Sequence, residues 1–162
     1  FNKVYKNYDL MNDIMSFGVH RLWKKNLISW MSPQLGSKIV DVASGTGDLA
    51  KAISEKNNNQ NSIYCVEPNQ GMLETGKKKL KYFKNVKWHL YHAEKLPFKD
   101  NLFDFYTISF GIRNVTDINQ CLKEAYLNAL TSEENETVIP NHEDIPKILN
   151  KVYPNHDVVK IE

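Results

Sequence analysis

The chain has 162 residues, of which 41% are hydrophobic, 25% charged and 11% aromatic, a composition typical of one globular domain. It contains no run of about 18 apolar residues and no signal-peptide pattern at its start, so we predict neither a transmembrane helix nor a secretory leader. The formal net charge of +2 is too small to indicate a nucleic-acid partner. Cys65 and Cys121 form no CxxC motif, which indicates reduced thiols in an intracellular protein and no metal site.

Charge is distributed unevenly along the chain. Residues 1–131 contain 18 Lys+Arg and 12 Asp+Glu, whereas residues 132–162 contain 3 and 7. This change predicts a boundary near Ser132, with a folded domain over 1–131 and an acidic tail over 132–162. Within the tail, only weak patterns suggest a helix at 143–151 and a strand at 158–161.

Strands and helices are predicted to alternate after an N-terminal helical segment. Apolar residues recur at helical spacing through residues 1–31 and predict two amphipathic helices, broken near residues 16–18. The elements that follow are a strand at 38–43, a glycine turn and helix at 44–53, a strand at 63–66, a helix at 70–82, a strand at 86–91, a strand at 103–110 and a helix at 118–130. This order predicts an α/β fold with a doubly wound, mostly parallel sheet.

The loop after the first predicted strand carries Gly45, Thr46 and Gly47. Glycines let a backbone approach a ligand closely, and the start of the next helix offers unpaired N–H groups. A dinucleotide fingerprint would have a third glycine where this chain has Ala50, and Asp48 would repel a phosphate. The loop therefore favours a cationic ligand, with an ordinary turn as the alternative.

Polar residues occur at the ends of all four strands. Asp41, in the first strand, would bridge loop groups or a ligand amine. Glu67 ends the second strand 20 residues after Gly47, the spacing at which a carboxylate accepts both hydroxyls of a ribose; a helix N-cap is the alternative. Backbone groups at His92 and Ala93 would contact an adenine edge. The residues that close the fourth strand are Ser109, Gly111, Arg113 and Asn114.

Motifs at 8–24, 41–49, 93–98 and 108–117 carry a family resemblance, most specifically the stretches Asn-Asp-Ile-Met-Ser-Phe-Gly-Val-His-Arg-Leu-Trp and Ser-Phe-Gly-Ile-Arg-Asn-Val. On these motifs the chain resembles the ubiquinone/menaquinone biosynthesis C-methyltransferases, which are class I S-adenosylmethionine-dependent methyltransferases. The resemblance extends over residues 1–127. It implies a Rossmann-like methyltransferase domain. From their aromatic and apolar residues, the N-terminal helices, within 1–35, are predicted to form a lid over the cofactor, with packing in the core as the alternative.

The resemblance implies S-adenosylmethionine as cofactor and methyl transfer to a ring carbon of a polyprenyl benzoquinol in ubiquinone biosynthesis. Arg113 would stabilise a developing phenolate, since a guanidinium keeps its proton. Asn114 and His20 are the other predicted catalytic residues; His20 titrates near neutrality, although a solvated helix position is an equal alternative. Together with the loop argument, the predicted cofactor residues are Asp41, Gly45, Thr46, Gly47, Glu67, His92, Ala93 and Ser109. The family more commonly has Asp at position 67 and Asn or Asp at position 92.

The N-terminal helices have a second interpretation besides the lid. Trp23 and Trp30 lie near Lys24 and Lys25, a combination that would suit contact with a membrane surface. We expect a matrix-side location at the mitochondrial inner membrane in a eukaryote, and a cytoplasmic or membrane-associated one otherwise. A quinone-biosynthesis protein complex is the other expected partner.

The resemblance stops after residue 127. The family continues with a Lys-Pro-Gly-Gly turn and a further strand, whereas this chain reads Leu-Asn-Ala-Leu-Thr-Ser-Glu-Glu over 127–134. The C-terminal part of the sheet is therefore predicted to be incomplete, as in a truncated or spliced chain. That departure supports an alternative function, a non-catalytic cofactor- or partner-binding component of a quinone-synthesis complex; the intact loops at 44–48 and 109–114 favour the enzyme.

Overall fold

The computed structural model describes residues 19–109 and 111–129. Its elements in chain order are α1 (Val19–Met31), β1 (Lys38–Val42), α2 (Asp48–Lys56), β2 (Ser62–Val66), α3 (Gln70–Lys79), β3 (Val86–His89), β4 (Phe105–Thr107), a 3-10 helix (Ile112–Asn114) and α4 (Ile118–Ala129). The first predicted helix and the segment 132–162 lie outside the described residues, so the boundary near Ser132 stays a prediction. No described helix combines the length and apolar character needed to cross a bilayer.

The strands form one sheet in the order β3-β2-β1-β4, and every neighbouring pair is parallel. The chain moves outward from β1 to β3 and then returns to the other side of β1 for β4. The connections therefore diverge between β1 and β4, which is where open α/β sheets bind ligands beyond the carboxyl ends of the strands. The predicted α/β, doubly wound architecture is confirmed.

Each face of the sheet has its own apolar core, because successive strand residues point to opposite faces. Ile39 of β1 packs with Ile28 of α1 and Ile53 of α2 on one face. Val40, the next residue in β1, belongs to the other core, which is covered by α4 and by the segment between β3 and β4. Burial of each such side chain contributes about 1.5–3 kcal/mol.

Helix α1 corresponds to the second of the two helices predicted to form a lid. Its C-terminal half belongs to the core, since Ile28 is 3% exposed and Leu27 and Met31 pack against the same cluster. Trp30 points away from that core and is 76% exposed. The C-terminal half of α1 is therefore packed onto the sheet. That the N-terminal helical segment, within 1–35, forms a lid stays a prediction.

Three strands are shorter than predicted, and β1 ends one residue early, at Val42. β3 ends at His89 instead of Tyr91, and β4 covers only Phe105–Thr107 instead of 103–110. β4 pairs with residues 39–41 of β1. Shortly after this pairing, the positive φ of 52° at Ala43 turns the β1 segment away from β4, and the described residues Ile108 and Ser109 have no strand partner. The chain forms a 3-10 turn instead.

Candidate functional site

The loop between β1 and α2 depends on glycine for two reasons. Gly47 has φ of 81°, in the left-handed region that glycine adopts at low cost. A Cβ at this position would also lie 2.8 Å from Leu80 and 2.9 Å from the Trp88 ring. The sequence argument assigned the glycine to ligand approach; the structure adds that Trp88 packs behind the loop and leaves no room for a side chain.

Glu67 joins the ends of the two central strands. Its carboxylate accepts hydrogen bonds from the backbone N–H of Gly45 at 2.8 Å and of Asn69 at 2.9 Å. Its own backbone N–H donates to the carbonyl of His89, at the end of β3. The side chain is buried, and burial raises the pKa of Glu67 even though the two amide hydrogen bonds act to lower it. Glu67 is thus a rigidly held acceptor where β1, β2 and β3 end.

Asp41 is a buried carboxylate, and one of its oxygens has no partner among the described residues. It lies in β1 in register with Cys65 of β2 and Thr107 of β4, and only 2% of its surface is exposed. The Thr107 hydroxyl donates to Oδ1 at 2.9 Å, whereas Oδ2 has no hydrogen-bond partner in the described part of the chain. Burial raises the pKa of Asp41 to about 7, against the lowering effect of the Thr107 hydrogen bond. Such an oxygen is suited to accept a proton or a cationic ligand group.

Asp48 is neutralised by two lysines from different helices. Lys24 of α1 lies 2.9 Å from Oδ2, and Lys79 of α3 contacts Oδ1. Burial acts to raise the pKa of Asp48, but the hydrogen bonds from Lys79 and Lys24 outweigh it and lower the pKa to about 2. The expectation that Asp48 would attract a cationic ligand is therefore not supported: its charge is balanced inside the protein, and it is too weak a base to take a proton near neutrality.

Thr46 lies beside this ion-pair cluster. Its side chain is buried, and the Lys79 ammonium is 3.3 Å from its hydroxyl. Lys24 and Lys79 thus connect α1 and α3 to the loop that also carries Gly45. The two lysines bind the helix end of this loop through Asp48, and Glu67 binds its strand end through the N–H of Gly45.

The segment after β4 lies directly against the glycine loop. A Cβ at Gly111 would be 2.3 Å from the Cβ of Ala43, so only glycine permits this approach. Ser109, two residues earlier, is half-buried, and Arg113 and Asn114 in the 3-10 turn are exposed. The structure therefore places the predicted catalytic pair beside the loop that holds Gly45.

The segment after β3 forms the far side of the same edge. His92 is exposed and accepts a hydrogen bond at its carbonyl from the N–H of Lys95 at 3.2 Å, while Ala93 is buried. His92 lies three residues beyond His89, whose carbonyl bonds to Glu67. The side chain of His20, in α1, lies outside the described part of the chain.

His20 lies in α1 and not in a segment that ends a strand. The other predicted site residues all lie at the carboxyl edge of the sheet. Their roles stay predictions. Sequence reasoning missed Thr107 as the partner of Asp41, and it missed the pairing of Lys24 and Lys79 with Asp48. Strand alternation in β4 was the one available signal for Thr107; no local pattern could pair residues that are 24 and 31 positions apart.

Comparison with known proteins agrees with this geometry. The model of the ubiE/COQ5 methyltransferase family matches residues 1–132. The ubiquinone/menaquinone biosynthesis C-methyltransferase UbiE of Rickettsia prowazekii is 52% identical over 132 residues, 78% of this chain and 53% of that protein. The chain therefore spans about half the length of the curated relatives it matches.

Solved structures share the fold at lower identity. A SAM-dependent methyltransferase from Aquifex aeolicus superposes with a TM-score of 0.61 at 18% identity, covering 81% of this chain and 77% of that one. A protein from Methanococcus maripaludis gives a TM-score of 0.68 at 18% identity, covering 78% and 58%. With the match of the family model over most of the sequence, these findings show that the chain belongs to the ubiE/COQ5 methyltransferase family and has the fold of class I S-adenosylmethionine-dependent methyltransferases.

Proposed function

We propose that the protein binds S-adenosylmethionine and transfers its methyl group to a ring carbon of a polyprenyl benzoquinol in ubiquinone biosynthesis. The observation that carries the proposal is the Glu67 carboxylate, which the N–H groups of Gly45 and Asn69 fix at the carboxyl edge of the sheet. A carboxylate has about four acceptor positions, so two remain for a pair of vicinal hydroxyls. The family assignment supplies the substrate class.

The residues present fit this cofactor in a second way. Asp41 Oδ2 is buried without a partner among the described residues, and an ammonium group on the cofactor would satisfy it. Because Asp48 is already paired with Lys24 and Lys79, Asp41 is the carboxylate better suited to such a cation. Glu67 would hold the ribose, and the backbone at His92 and Ala93 would lie near the base.

The chemistry requires little of the protein beyond orientation and charge stabilisation. When bound, S-adenosylmethionine supplies a methyl group that is already electrophilic. The protein must hold the accepting ring carbon about 3 Å away in line with the sulfur. Arg113 would stabilise negative charge on the ring oxygen, because its guanidinium donates hydrogen bonds and stays protonated. Asn114 would orient that oxygen through its amide.

A base must also take the proton of the ring hydroxyl, and later the proton that leaves the methylated carbon. His20 is the predicted residue, since imidazole titrates near neutrality. Asp48 is excluded from this role by its pKa of about 2. If the imidazole is the base, His20→Gln should lower kcat most at the higher pH values, where the parental base is deprotonated, and should remove the rise of kcat with pH that this deprotonation gives. An unchanged pH profile would reject it.

We also propose peripheral membrane contact through α1, at the matrix side of the mitochondrial inner membrane if the host is eukaryotic. Trp30 and Lys25 are exposed on this helix, whereas Lys24 is paired with Asp48 and is not available to lipid headgroups. Trp30→Ser with Lys25→Glu should reduce sedimentation with anionic vesicles, and Lys51→Glu on α2 serves as the charge-matched control. Equal sedimentation would reject the contact.

The proposed function is tested by calorimetry followed by a transfer assay. We expect S-adenosylmethionine, but not NADH, to bind the parental chain. Glu67→Gln should weaken this binding about tenfold or more, because an amide cannot accept from both backbone N–H groups and both hydroxyls. Glu55→Gln, which changes an exposed glutamate on α2, is the matched control. Absence of binding would overturn the cofactor; binding without transfer to a demethylated quinol would leave a non-catalytic protein.

A further inference from the structure

A carboxylate connects the chain segments that follow the two outer strands of the described sheet. β3 and β4 lie at opposite edges, with β2 and β1 between them. Neighbouring strands are about 4.8 Å apart, so the outer strands are separated by about 14 Å. The chain segments that follow β3 and β4 nevertheless meet, through Glu94.

Glu94 accepts two backbone hydrogen bonds from the two residues that precede α4. Its Oε1 lies 2.8 Å from the N–H of Thr116 and 3.3 Å from the N–H of Asp117. Asp117 in turn accepts from the N–H of Gln120 at 3.0 Å and caps the helix. Burial acts to raise the pKa of Glu94, but hydrogen bonds from its own backbone N–H and from those of Thr116 and Asp117 lower it overall, so the carboxylate stays ionised at neutral pH.

A second carboxylate makes the same connection in the opposite direction. Glu124, on α4, accepts a hydrogen bond from the backbone N–H of Leu96 at 2.9 Å. Glu94 therefore reaches from the β3 segment to α4, and Glu124 reaches from α4 back to the β3 segment. We call this reciprocal pair, Glu94 with Thr116 and Asp117 and Glu124 with Leu96, the carboxylate clasp.

The clasp connects the two groups of predicted site residues. His92 and Ala93 directly precede Glu94, on the side predicted for the cofactor base. Arg113 and Asn114, on the side predicted for the substrate, are separated by Val115 alone from Thr116 and Asp117, whose N–H groups donate to Glu94. The other edge of the Arg113 segment is fixed where Gly111 contacts Ala43. Apolar packing also holds this segment, since Ile112 and Val115 contact the core that contains Ala93 and Leu96, and Glu94 adds directional hydrogen bonds on that side.

We propose that Glu94 is a positioning residue for methyl transfer: its carboxylate fixes the Arg113–Asn114 segment relative to the His92–Ala93 segment. This inference rests on the proposed function. A misplacement of about 1 Å in a reacting pair is enough to cost about 100-fold in rate. Loss of the clasp therefore acts mainly on kcat, since Glu67 and Asp41 still hold the cofactor.

The test compares Glu94→Ala and Glu94→Gln with the parental full chain, in cofactor binding and in methyl-transfer kinetics. The glutamine keeps an oxygen that accepts both N–H groups, whereas alanine removes the acceptor. We expect Glu94→Ala to lower kcat about 10- to 100-fold with less than about threefold change in cofactor Kd, and Glu94→Gln to stay within about threefold of the parent. Glu74→Ala, on α3 beside Gln70 and Lys77, is the matched control and should have parental kcat.

Amide hydrogen exchange gives an independent measurement. Thr116 and Asp117 should exchange faster in Glu94→Ala than in the parent and in the Glu74→Ala control. Faster exchange with an unchanged kcat would overturn the positioning role while leaving the proposed function intact. A parental chain that binds cofactor but transfers no methyl group would instead overturn the proposed function. In that case only amide exchange would test whether Glu94 fixes the segment. Equal exchange rates of Thr116 and Asp117 in Glu94→Ala and in the parent would overturn this role.

If Glu94→Ala fails to fold, Glu94→Asp replaces it. Aspartate keeps the charge but is one methylene shorter, so it cannot reach both amides in the same geometry. An intermediate loss of kcat with parental thermal stability supports the inference. A parental kcat in Glu94→Asp, with faster exchange at Thr116, overturns it.

Discussion

Asp41 gives the sharpest prediction about this protein, because its ionisation is disfavoured in the folded state. Its pKa rises from 3.8 to about 7 on burial, mainly by desolvation. One pKa unit corresponds to about 1.4 kcal/mol, so ionised Asp41 costs the fold about 4 kcal/mol. The substitution Asp41→Asn removes that cost while keeping an oxygen for the Thr107 hydroxyl, 2.9 Å from Oδ1.

The sign of the pH dependence follows from proton linkage. Between pH 3.8 and 7 the folded chain keeps a proton on Asp41 that the unfolded chain has lost. The free energy of unfolding therefore falls as pH rises through this window; the penalty is absent below it and complete above it. In Asp41→Asn this part of the slope disappears. The neutral amide resembles the protonated acid, so variant and parent should be equally stable near pH 4.

The assay is urea denaturation at several pH values from 4 to 8. The stability of Asp41→Asn relative to the parent should increase by about 4 kcal/mol between pH 4 and pH 8. Glu55→Gln, which removes an exposed carboxylate, should follow the parent at every pH. Parallel curves for Asp41→Asn and the parent would refute the reasoning, because they would mean that ionised Asp41 is well solvated in the fold.

The same variant links stability to binding. A cationic cofactor group beside Asp41 favours its ionised form, so cofactor binding near pH 6 should release close to one proton. Calorimetric titration in two buffers of different ionisation enthalpy measures that proton. The more stable Asp41→Asn variant should bind S-adenosylmethionine more weakly and release none. Parental affinity in Asp41→Asn would show that the cofactor does not contact this carboxylate.

Two further substitutions test the framework of the site, and a third tests the loops at the opposite end of the sheet. Gly47→Ala should lower the free energy of unfolding, measured by urea denaturation, by about 1–3 kcal/mol. The added Cβ would overlap the Trp88 ring, and the backbone φ at this position is positive. The double variant with Trp88→Leu should recover part of this loss. Gly111→Ala should lower kcat about tenfold or more by pushing the 3-10 turn away from Ala43, and a parental kcat would contradict the close approach. Asn61→Ala should cost about 2 kcal/mol, since this buried amide bridges two loops at the amino end of the sheet; a loss below about 0.5 kcal/mol in urea would show that water replaces it.

Local sequence determined most of the architecture. The apolar run 38–42 and the glycines after it specify a strand, a left-handed turn and a helix without reference to the rest of the chain. Alternating strands and helices specify a parallel sheet, and a parallel sheet brings every strand-end residue to one edge. For this reason the positions of Gly45, Glu67 and Ser109 at a common edge were predictable from chain order alone.

Tertiary structure alone decided how the charges at that edge are balanced. Asp48 and Asp41 look alike in the sequence. Asp48 is paired with lysines from two helices, whereas Asp41 is buried with one oxygen that has no partner in the part of the chain that the structure describes. Their pKa values, about 2 and about 7, differ because desolvation and ion pairing depend on groups far away in the chain. The reach of Glu94 to Thr116 likewise depends on strand order, which no local pattern encodes. Residue types and their spacing determined which side chains lie at the carboxyl edge of the sheet. Tertiary packing determined which of these side chains are charged.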